Sequence, residues 1–283
     1  MEGLNRIMED GHYAELVMAC EARYANECRA PACQQVQNHG EDVRLILVAG
    51  PSFSGKTTTT IKLAEHLAGQ GRKLKTINAD HYFFDLEMHP KDEFGDYDYE
   101  TPQALDIELI NEHLEQLLDG KIVKIPHYDF HTGQRTLNVH EMRLEADEIL
   151  VMDCLHGLHP DMTRSIPADH KFRLYIETRG QFRNEKNEFM RWADHRLMRR
   201  MIRDSWSRSH DALDTLTHWH YVRKSELQCI IPFIGNVDFL VNSAMPYEFT
   251  VLKNRLFYLF PEATTFINPG LGRRGFAGGA VPD

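Results

Sequence analysis

The stretch from Gly50 to Thr57 constrains the fold more than any other part of the sequence. It has the pattern G-x-x-x-x-G-K-[ST] and follows an apolar, β-branched run at residues 43–48. The residues after it, TTTIKLAEHLAGQG, repeat their apolar positions at helical spacing. Strand, glycine loop and helix in this order predict a phosphate-binding loop, because the glycines let backbone N–H groups converge and the helix N-terminus adds its dipole.

The residues of this loop have predicted roles in holding a nucleoside triphosphate. Lys56 reaches the β- and γ-phosphates, and the Thr57 hydroxyl ligates Mg²⁺. The other residues predicted to contact the nucleotide are Gly50, Ser52, Ser54, Gly55 and Thr58. A bound phosphate group and Mg²⁺ are therefore expected at this loop. The alternative is a glycine turn that binds nothing, which the strand before the loop and the helix after it argue against.

Composition limits the partners of the chain. A net charge of -10 over 283 residues argues against a general binder of nucleic acids or anionic membranes, because phosphate groups would be repelled over most of the surface. No apolar run approaches the ~20 residues that span a bilayer, and the N-terminus has no signal-peptide pattern. The five cysteines form no C-x-x-C pair. We expect a cytoplasmic protein with a small-molecule substrate and no structural zinc, and the sequence leaves a homo-oligomer open.

Strands and helices are predicted to alternate after the loop. A second strand at residues 72–80 delivers Asp80 at its carboxyl end, which is the side where parallel α/β sheets bind ligands. A core strand ends at Asp153. Between them we expect a helix that begins at Pro102, with Thr101 as its N-cap, and either a hairpin or an extended excursion within residues 120–140.

Three parts are expected along the chain. Residues 1–41 predict a helical extension, interrupted near Pro31, and a linker; residues 42–260 predict one P-loop domain; and residues 261–283 predict a flexible tail. The fold class is α/β, a P-loop NTPase with a mostly parallel central sheet flanked by helices, plus a helical lid.

A run of arginines after residue 194 predicts the lid. Such a run is most often a solvated helix face. In an acidic chain with a phosphate loop it favours function, because phosphoryl transfer needs more counter-cations than the loop supplies. The arginines are Arg196, Arg199, Arg200, Arg203 and Arg208.

Further blocks follow the loop in a fixed order. They are ADHYFFD (79–85), HPKDEFGDYDYETPQALD (89–106), GKIVKIPHYDFHTGQR (120–135), ILVMDCLHGLHP (149–160), DHRLMRRMIRD (194–204) and NVDFLVNSAMPYE (236–248). Together with the loop, these blocks resemble the uridine kinase and phosphoribulokinase family of P-loop kinases, most closely its bacterial uridine kinase-like proteins. The resemblance covers residues 42 to 258.

This resemblance implies ATP-dependent transfer of the γ-phosphoryl group to a primary hydroxyl, typically the 5′-hydroxyl of uridine or cytidine. At the matching positions, Asp80 is the catalytic carboxylate that accepts the proton of the hydroxyl. Asp153 is the acidic residue that ends the core strand and contacts the metal together with Thr57 and Asp80. Arg203 and Arg208 match arginines that close over the phosphates.

The acceptor pocket implied by the resemblance is formed by Asp98, Tyr128, Phe130, Arg135 and Arg203. Nearby the sequence departs from the family. Gly133 stands where the nucleoside kinases of the family place a base-contacting His, and Asp153-Cys154 stands where the family has Glu-Gly. Two alternatives to a pyrimidine nucleoside kinase therefore stay open. One is a kinase for another small hydroxyl compound, such as a sugar phosphate, and the other is a nucleotide-binding regulatory protein with impaired catalysis.

Overall fold

The computed structural model describes residues 2–38, 43–69, 71–91, 95, 97–184, 186–207 and 212–259. The helices are α1 (Glu2–Glu9), α2 (Tyr13–Asn38), α3 (Lys56–Gly69), α4 (Ile107–Leu118), α5 (Trp192–Ser207), α6 (Ala212–Ser225) and α7 (Glu248–Leu259). The strands are β1 (Leu45–Ala49), β2 (Lys73–Asn78), β3 (Val123–Asp129), β4 (Gln134–Met142), β5 (Glu148–Cys154), β6 (Lys171–Glu177) and β7 (Phe239–Asn242).

The described residues fall into two compact units. Residues 21–179 and 224–244 form the first, which we call the sheet unit. The described residues of 1–20, 180–223 and 245–259 form the second, which we call the helical unit. No helix in the described part of the chain is both long enough and apolar enough to cross a membrane.

A five-stranded sheet with the order β2-β5-β1-β6-β7 is the centre of the sheet unit, and every neighbouring pair in it is parallel. This confirms the predicted α/β class. All five residues of β1 are buried, as is typical of a parallel strand covered on both faces. The register aligns Asn78 of β2 with Asp153 of β5, and Ala49 of β1 with Cys154. Strands β1, β2 and β5 therefore end at the same edge, and the residues that follow them are brought together there.

A hydrophobic core packs side chains of β1, β2 and β5 against α4 and β3. The predicted hairpin is present as antiparallel β3 and β4. The predicted cap of the helix was wrong. Thr101 and Pro102 open only a short 3₁₀ turn, whereas Asp106 caps α4 by accepting a 3.1 Å hydrogen bond from the Leu109 N–H. A carboxylate there satisfies an N–H that otherwise has no partner in the helix, and it complements the helix dipole.

The end predicted for the first helix was also wrong. Helix α2 continues through residue 31 to Asn38, although a proline inside a helix removes one backbone hydrogen bond and destabilises it by about 3 kcal/mol. The helix is anchored by packing before that point, where Tyr24 is 4% exposed and Cys28 is fully buried in the sheet unit. Of the predicted tail, residues 261–283 lie outside the described residues.

Candidate active site

The glycine loop leaves β1 with a backbone that only glycine fits at its first position. Gly50 has a φ of +153°, and a Cβ there would lie 2.3 Å from the carbonyl oxygen of Ile176 in β6. Gly55 has a φ of +97° and is followed directly by α3. Between them Phe53 has a φ of +65°, a conformation that is uncommon for a bulky residue. The loop is thus a strained turn that delivers the chain to a helix N-terminus, the geometry of an anion site.

Lys56, the first residue of α3, lies over this turn. Its Nζ donates to the carbonyl oxygens of Gly50 at 2.9 Å and Pro51 at 3.4 Å. The ammonium group is therefore held at the mouth of the loop, where it can pair with an anion. Ser54 is fully buried, while Thr57 and Thr58 are exposed on the first turn of the helix.

Oxygen ligands from two strand ends meet beside the loop. The Thr57 hydroxyl lies 3.5 Å from a carboxylate oxygen of Asp153, at the end of β5. Burial raises the pKa of Asp153, and Lys56 and the Thr57 hydroxyl oppose that rise. A hydroxyl and a carboxylate at this separation are hard oxygen donors of the kind that Mg²⁺ prefers, so the residues fit that ion.

Asp80 comes to the same edge from β2. The strand ends at Asn78, two residues earlier than predicted, and Asp80 lies in a short 3₁₀ turn. The Asn78 side chain fixes this turn by accepting a 2.9 Å hydrogen bond from the Asp80 N–H. The carboxylates of Asp80 and Asp153 both help to raise the pKa of the Cys154 thiol, although burial is the main cause. Both carboxylates are therefore near Cys154.

The turn after β5 holds two buried groups. Cys154, which stands where the family has Gly, is 2% exposed and packs among the core residues. His156 is 2% exposed, and burial, followed by the nearby His159, lowers its pKa to about 3. His156 is therefore a neutral imidazole near Lys56 and Glu100. The sequence does not predict His156 as a site residue, because burial cannot be inferred from its position in the sequence.

Aromatic side chains form a cluster on the hairpin and on the segment after β2. Tyr128 is 3% exposed and its ring centroid lies 5.4 Å from that of Phe83 and 5.0 Å from that of Phe130. Burial raises the pKa of Tyr128 to about 12. Phe130 is 55% exposed. The cluster thus has a packed base, which includes Tyr128, and an exposed ring that a flat ligand can contact.

Two polar residues predicted for the acceptor pocket have partners inside the protein. The Arg135 guanidinium donates at 2.9 Å to Asp106 and lies over the Phe84 ring, 5.0 Å from its centroid. Asp98 accepts a 2.9 Å hydrogen bond from the Glu100 N–H, which forms a local turn. The structure therefore gives Arg135 and Asp98 structural contacts in addition to any role in binding.

Gly133, at the tip of the hairpin, is tightly packed. It has a φ of +68°, and a Cβ on it would lie 2.9 Å from the Cβ of Leu86. The Leu86 N–H donates to the Gly133 carbonyl at 2.8 Å. A side chain at this position would have to displace Leu86, so the hairpin tip is closed by backbone and leucine.

The arginine run lies on α5 in the helical unit. Arg196 is fully buried, with its guanidinium 5.9 Å from the Trp219 ring centroid. Arg199 pairs with Glu248 at 2.6 Å, and Arg200 pairs with Asp204 at 3.2 Å. These three charges are therefore buried or paired within the helical unit, and the expectation of one functional cluster stays a prediction. Arg203 is exposed on α5, and Arg208 lies outside the described residues.

Other residues around the loop were missed by the sequence reading. Thr59 was part of an unremarkable threonine run, and Tyr24 and Ser243 are far from it in the chain. All three form hydrogen bonds with the loop or with α3. Contacts between side-chain hydroxyls so far apart in sequence leave no local pattern.

The fold and this edge of the sheet define a class of protein, the P-loop phosphotransferases. A profile described as "Phosphoribulokinase / Uridine kinase family" matches residues 45–248. The chain belongs to this family. It is therefore a nucleotide-binding kinase with an alcohol group as acceptor.

Named relatives are similar over most of their length. A uridine kinase of Anoxybacillus flavithermus is 27% identical over 198 residues, which cover 70% of this chain and 84% of the relative. A uridine kinase of Halobacterium salinarum is 26% identical over 195 residues, which cover 69% of this chain and 77% of the relative. A solved structure, a proposed fructose transport system kinase from Silicibacter sp. TM1040, is 17% identical with a TM-score of 0.53 and covers 74% of this chain and 96% of that one. That structural likeness supports the fold alone.

Proposed function

We propose that this protein transfers the γ-phosphoryl group of ATP to the 5′-hydroxyl of a pyrimidine ribonucleoside, uridine or cytidine, with Mg²⁺. The observation that carries the proposal is the similarity to proteins named uridine kinase, together with the family match at residues 45–248, a range that contains both the phosphate loop and the hairpin. The loop geometry supports the donor half of the reaction, and the exposed ring of Phe130 supports a flat acceptor.

On the donor side, the loop binds the triphosphate. Lys56 leaves the loop carbonyls and pairs with the β- and γ-phosphates, while backbone N–H groups of the loop donate to their oxygens. The remaining nucleotide contacts proposed in the loop are those of Gly50, Ser52, Ser54, Gly55 and Thr58. Arg203 and Arg208 are proposed to add positive charge at the phosphates.

A divalent cation completes the donor side. Thr57, Asp80 and Asp153 are proposed to hold it, directly or through water. Bound Mg²⁺ would neutralise charge on the phosphate oxygens. The partly buried Asp153 carboxylate is suited to this because its pKa, raised by burial, falls again beside a cation.

On the acceptor side, Asp80 orients the hydroxyl and accepts its proton as the new P–O bond forms and the bond to ADP breaks. Asp98 is proposed to bind the ribose hydroxyls. Tyr128, Phe130 and Arg135 are proposed to form the wall for the base, together with Arg203.

A second acceptor class is favoured by the hairpin tip. Gly133 has no side chain that could contact the edge of a base, and Leu86 occupies the space where one would lie. A site without such a partner discriminates poorly. This observation favours another small hydroxyl compound, such as a sugar phosphate, as the alternative acceptor.

The deciding experiment measures ADP release by the purified protein with ATP, Mg²⁺ and a panel of acceptors. We expect release to depend on uridine or cytidine. Stimulation by a sugar phosphate or another small alcohol, but by neither nucleoside, would replace the first proposal by the second. ATP binding without stimulation by any member of the panel would instead favour a regulatory role.

A further inference from the structure

The phosphate loop is held from behind by helix α2. The Tyr24 hydroxyl, buried in the sheet unit, lies 2.6 Å from Oγ1 of Thr59 on α3. Thr59 in turn donates from Oγ1 to the Gly55 carbonyl at 3.0 Å. Because a hydroxyl carries one hydrogen, Thr59 gives its own to Gly55 and accepts the hydrogen of Tyr24. The result is a hydrogen-bonded chain from α2 to a backbone carbonyl of the loop.

A second connection starts from Arg23 and Glu27 on the same helix. Arg23 donates to the Ala244 carbonyl at 2.6 Å, and Glu27 accepts from the Asn242 N–H at 2.7 Å. Arg23 and Glu27 also pair with each other at 2.7 Å. Together they fix the short segment that follows β7. Ser243, in the middle of that segment, donates to the carbonyl of Ser54 in the loop.

Both connections reach the loop at Gly55. A Cβ built on Gly55 would lie 3.4 Å from the Ser243 Cβ and 3.9 Å from the Tyr24 hydroxyl oxygen. The Ser54 and Gly55 carbonyls are therefore both held on the side that faces α2, and the Gly55 carbonyl also accepts a backbone hydrogen bond from the Thr59 N–H at 3.0 Å. In a planar trans peptide the carbonyl and the following N–H point in opposite directions. Holding the two carbonyls thus turns the N–H groups of Gly55 and Lys56 toward the front, away from α2.

We propose that α2 is a positioning element of the phosphate loop and that Tyr24 is its central positioning residue. It sets the affinity for ATP by fixing two backbone donors, without touching the nucleotide. This inference rests on the proposed role of the loop as the ATP phosphate site.

The test is titration of ATP by calorimetry, without acceptor, on the full chain. Tyr24→Phe keeps the ring and removes the hydroxyl, and Thr59→Val keeps the shape of threonine without its hydroxyl. Each is expected to weaken ATP binding about three- to tenfold, the range for loss of one hydrogen bond. The double variant is expected to bind ATP no more weakly than the single variant with the lower affinity, because both substitutions remove the same connection. The KM for the acceptor is expected to stay unchanged.

The matched control is Tyr13→Phe. Tyr13 lies on the same helix, and its hydroxyl makes an equally short 2.6 Å hydrogen bond to Thr250 in the helical unit. Tyr13→Phe is expected to leave ATP affinity unchanged. An equal loss in Tyr13→Phe and Tyr24→Phe would mean general destabilisation and would overturn the proposal, as would a folded Tyr24→Phe variant with unaltered affinity.

Two further variants keep the test decisive. If Tyr24→Phe does not fold, Thr59→Ser is compared with Thr59→Val, because serine restores the hydroxyl. Rescue of ATP affinity by serine supports the connection, and its absence overturns it. Lys56→Ala separates the two proposals: if it leaves ATP affinity intact, the proposed role of the loop fails, whatever α2 does.

Discussion

The proposed phosphate side and the proposed acceptor side of the sheet unit use different kinds of chemical groups for recognition. On the proposed phosphate side, residues 50–59, the recognition groups would be backbone N–H groups and one lysine at a helix N-terminus. On the proposed acceptor side, the hairpin β3–β4 and the described residues of 83–106, they would be side chains that already contact one another, such as Tyr128 with Phe83 and Arg135 with Asp106.

This difference determines how each side responds to a change of sequence. A backbone donor is present whatever residue carries it, provided that φ and ψ can be reached, so the phosphate side tolerates Phe53 at its centre. A side-chain site depends on which residue stands at each position. We therefore expect Gly133 to affect binding on the proposed acceptor side more than Phe53 affects binding on the proposed phosphate side.

The largest expected effect is on the phosphate side. Lys56→Ala removes the charge at the mouth of the loop and is expected to lower kcat/KM for ATP by about 10³-fold. The control is Lys73→Ala, because Lys73 is 67% exposed and pairs with Asp147 on the surface. Steady-state kinetics measure both. Activity within tenfold of the unaltered protein in Lys56→Ala would show that the phosphate side does not rely on this lysine.

That prediction rests on a motif that the sequence carries in full. The loop, the parallel sheet and the helix after it could be predicted because spacing and apolar patterning are local, and the structure confirms the sheet. The aromatic cluster, by contrast, joins segments about 45 residues apart, and its rings carry no period of their own.

The sequence does not decide between two uses of the same residue type. Arginine binds phosphate, but it also packs, as Arg196 does against Trp219. Asp106 looks like any acidic residue, yet it caps α4 and holds Arg135. Such choices depend on tertiary neighbours, which the amino-acid pattern does not contain.

The second largest effect is expected at Asp80, which is proposed to act between the phosphate side and the acceptor side. Asp80→Asn keeps the size of the side chain and removes the proton acceptor, and we expect kcat to fall by about 10²-fold with little change in the KM for ATP. Asp161→Asn, at an exposed position in the sheet unit, serves as the control. An unchanged kcat in Asp80→Asn would exclude this carboxylate as the acceptor of the proton.

The acceptor side is tested by Arg135→Met, which keeps the aliphatic stem and removes the charge. If Arg135 contacts the acceptor, the KM for the acceptor is expected to rise about tenfold, as for the loss of a hydrogen bond to a charged group. Asp106→Asn is the matched variant, because it weakens the 2.9 Å pair but keeps the guanidinium. If both variants keep the acceptor KM of the unaltered protein and lose only stability, Arg135 is a structural residue.

The closed hairpin tip is tested through stability. Gly133→Ala is expected to lower the free energy of unfolding by about 1–2 kcal/mol, because its φ is positive and Leu86 blocks the Cβ. Gly120→Ala shares a φ of +73°, but its nearest neighbour is 3.7 Å away. Urea unfolding should show the larger loss for Gly133→Ala, and Leu86→Ala in that background should recover part of it. Equal losses at both glycines would remove Leu86 from the explanation.

The smallest effect is expected from Asp153→Asn on stability. Burial raises the folded-state pKa of Asp153 above its unfolded value, so the unfolded chain ionises more easily and the charge destabilises the fold at neutral pH. Asparagine removes that charge. We expect the Tm to rise by about 1–3 °C at pH 7 while activity falls.

The pH dependence supplies the check on this interpretation. As pH falls through the raised pKa of Asp153, the native carboxyl becomes protonated and its penalty disappears. The Tm difference between Asp153→Asn and the unaltered protein should therefore shrink in acid. A difference that stays constant from pH 7 to pH 4 would trace it to packing instead of charge.

The contacts of α2 show that the segment similar to the family and the compact structural unit begin at different residues. The segment that this chain shares with its family begins at residue 45, whereas the hydrogen bonds behind the loop begin at Arg23. A comparison of sequences would cut the chain before β1, but the compact unit around the loop begins at Glu21. To transplant this loop into another protein, or to express it alone, one must therefore carry most of α2 with it.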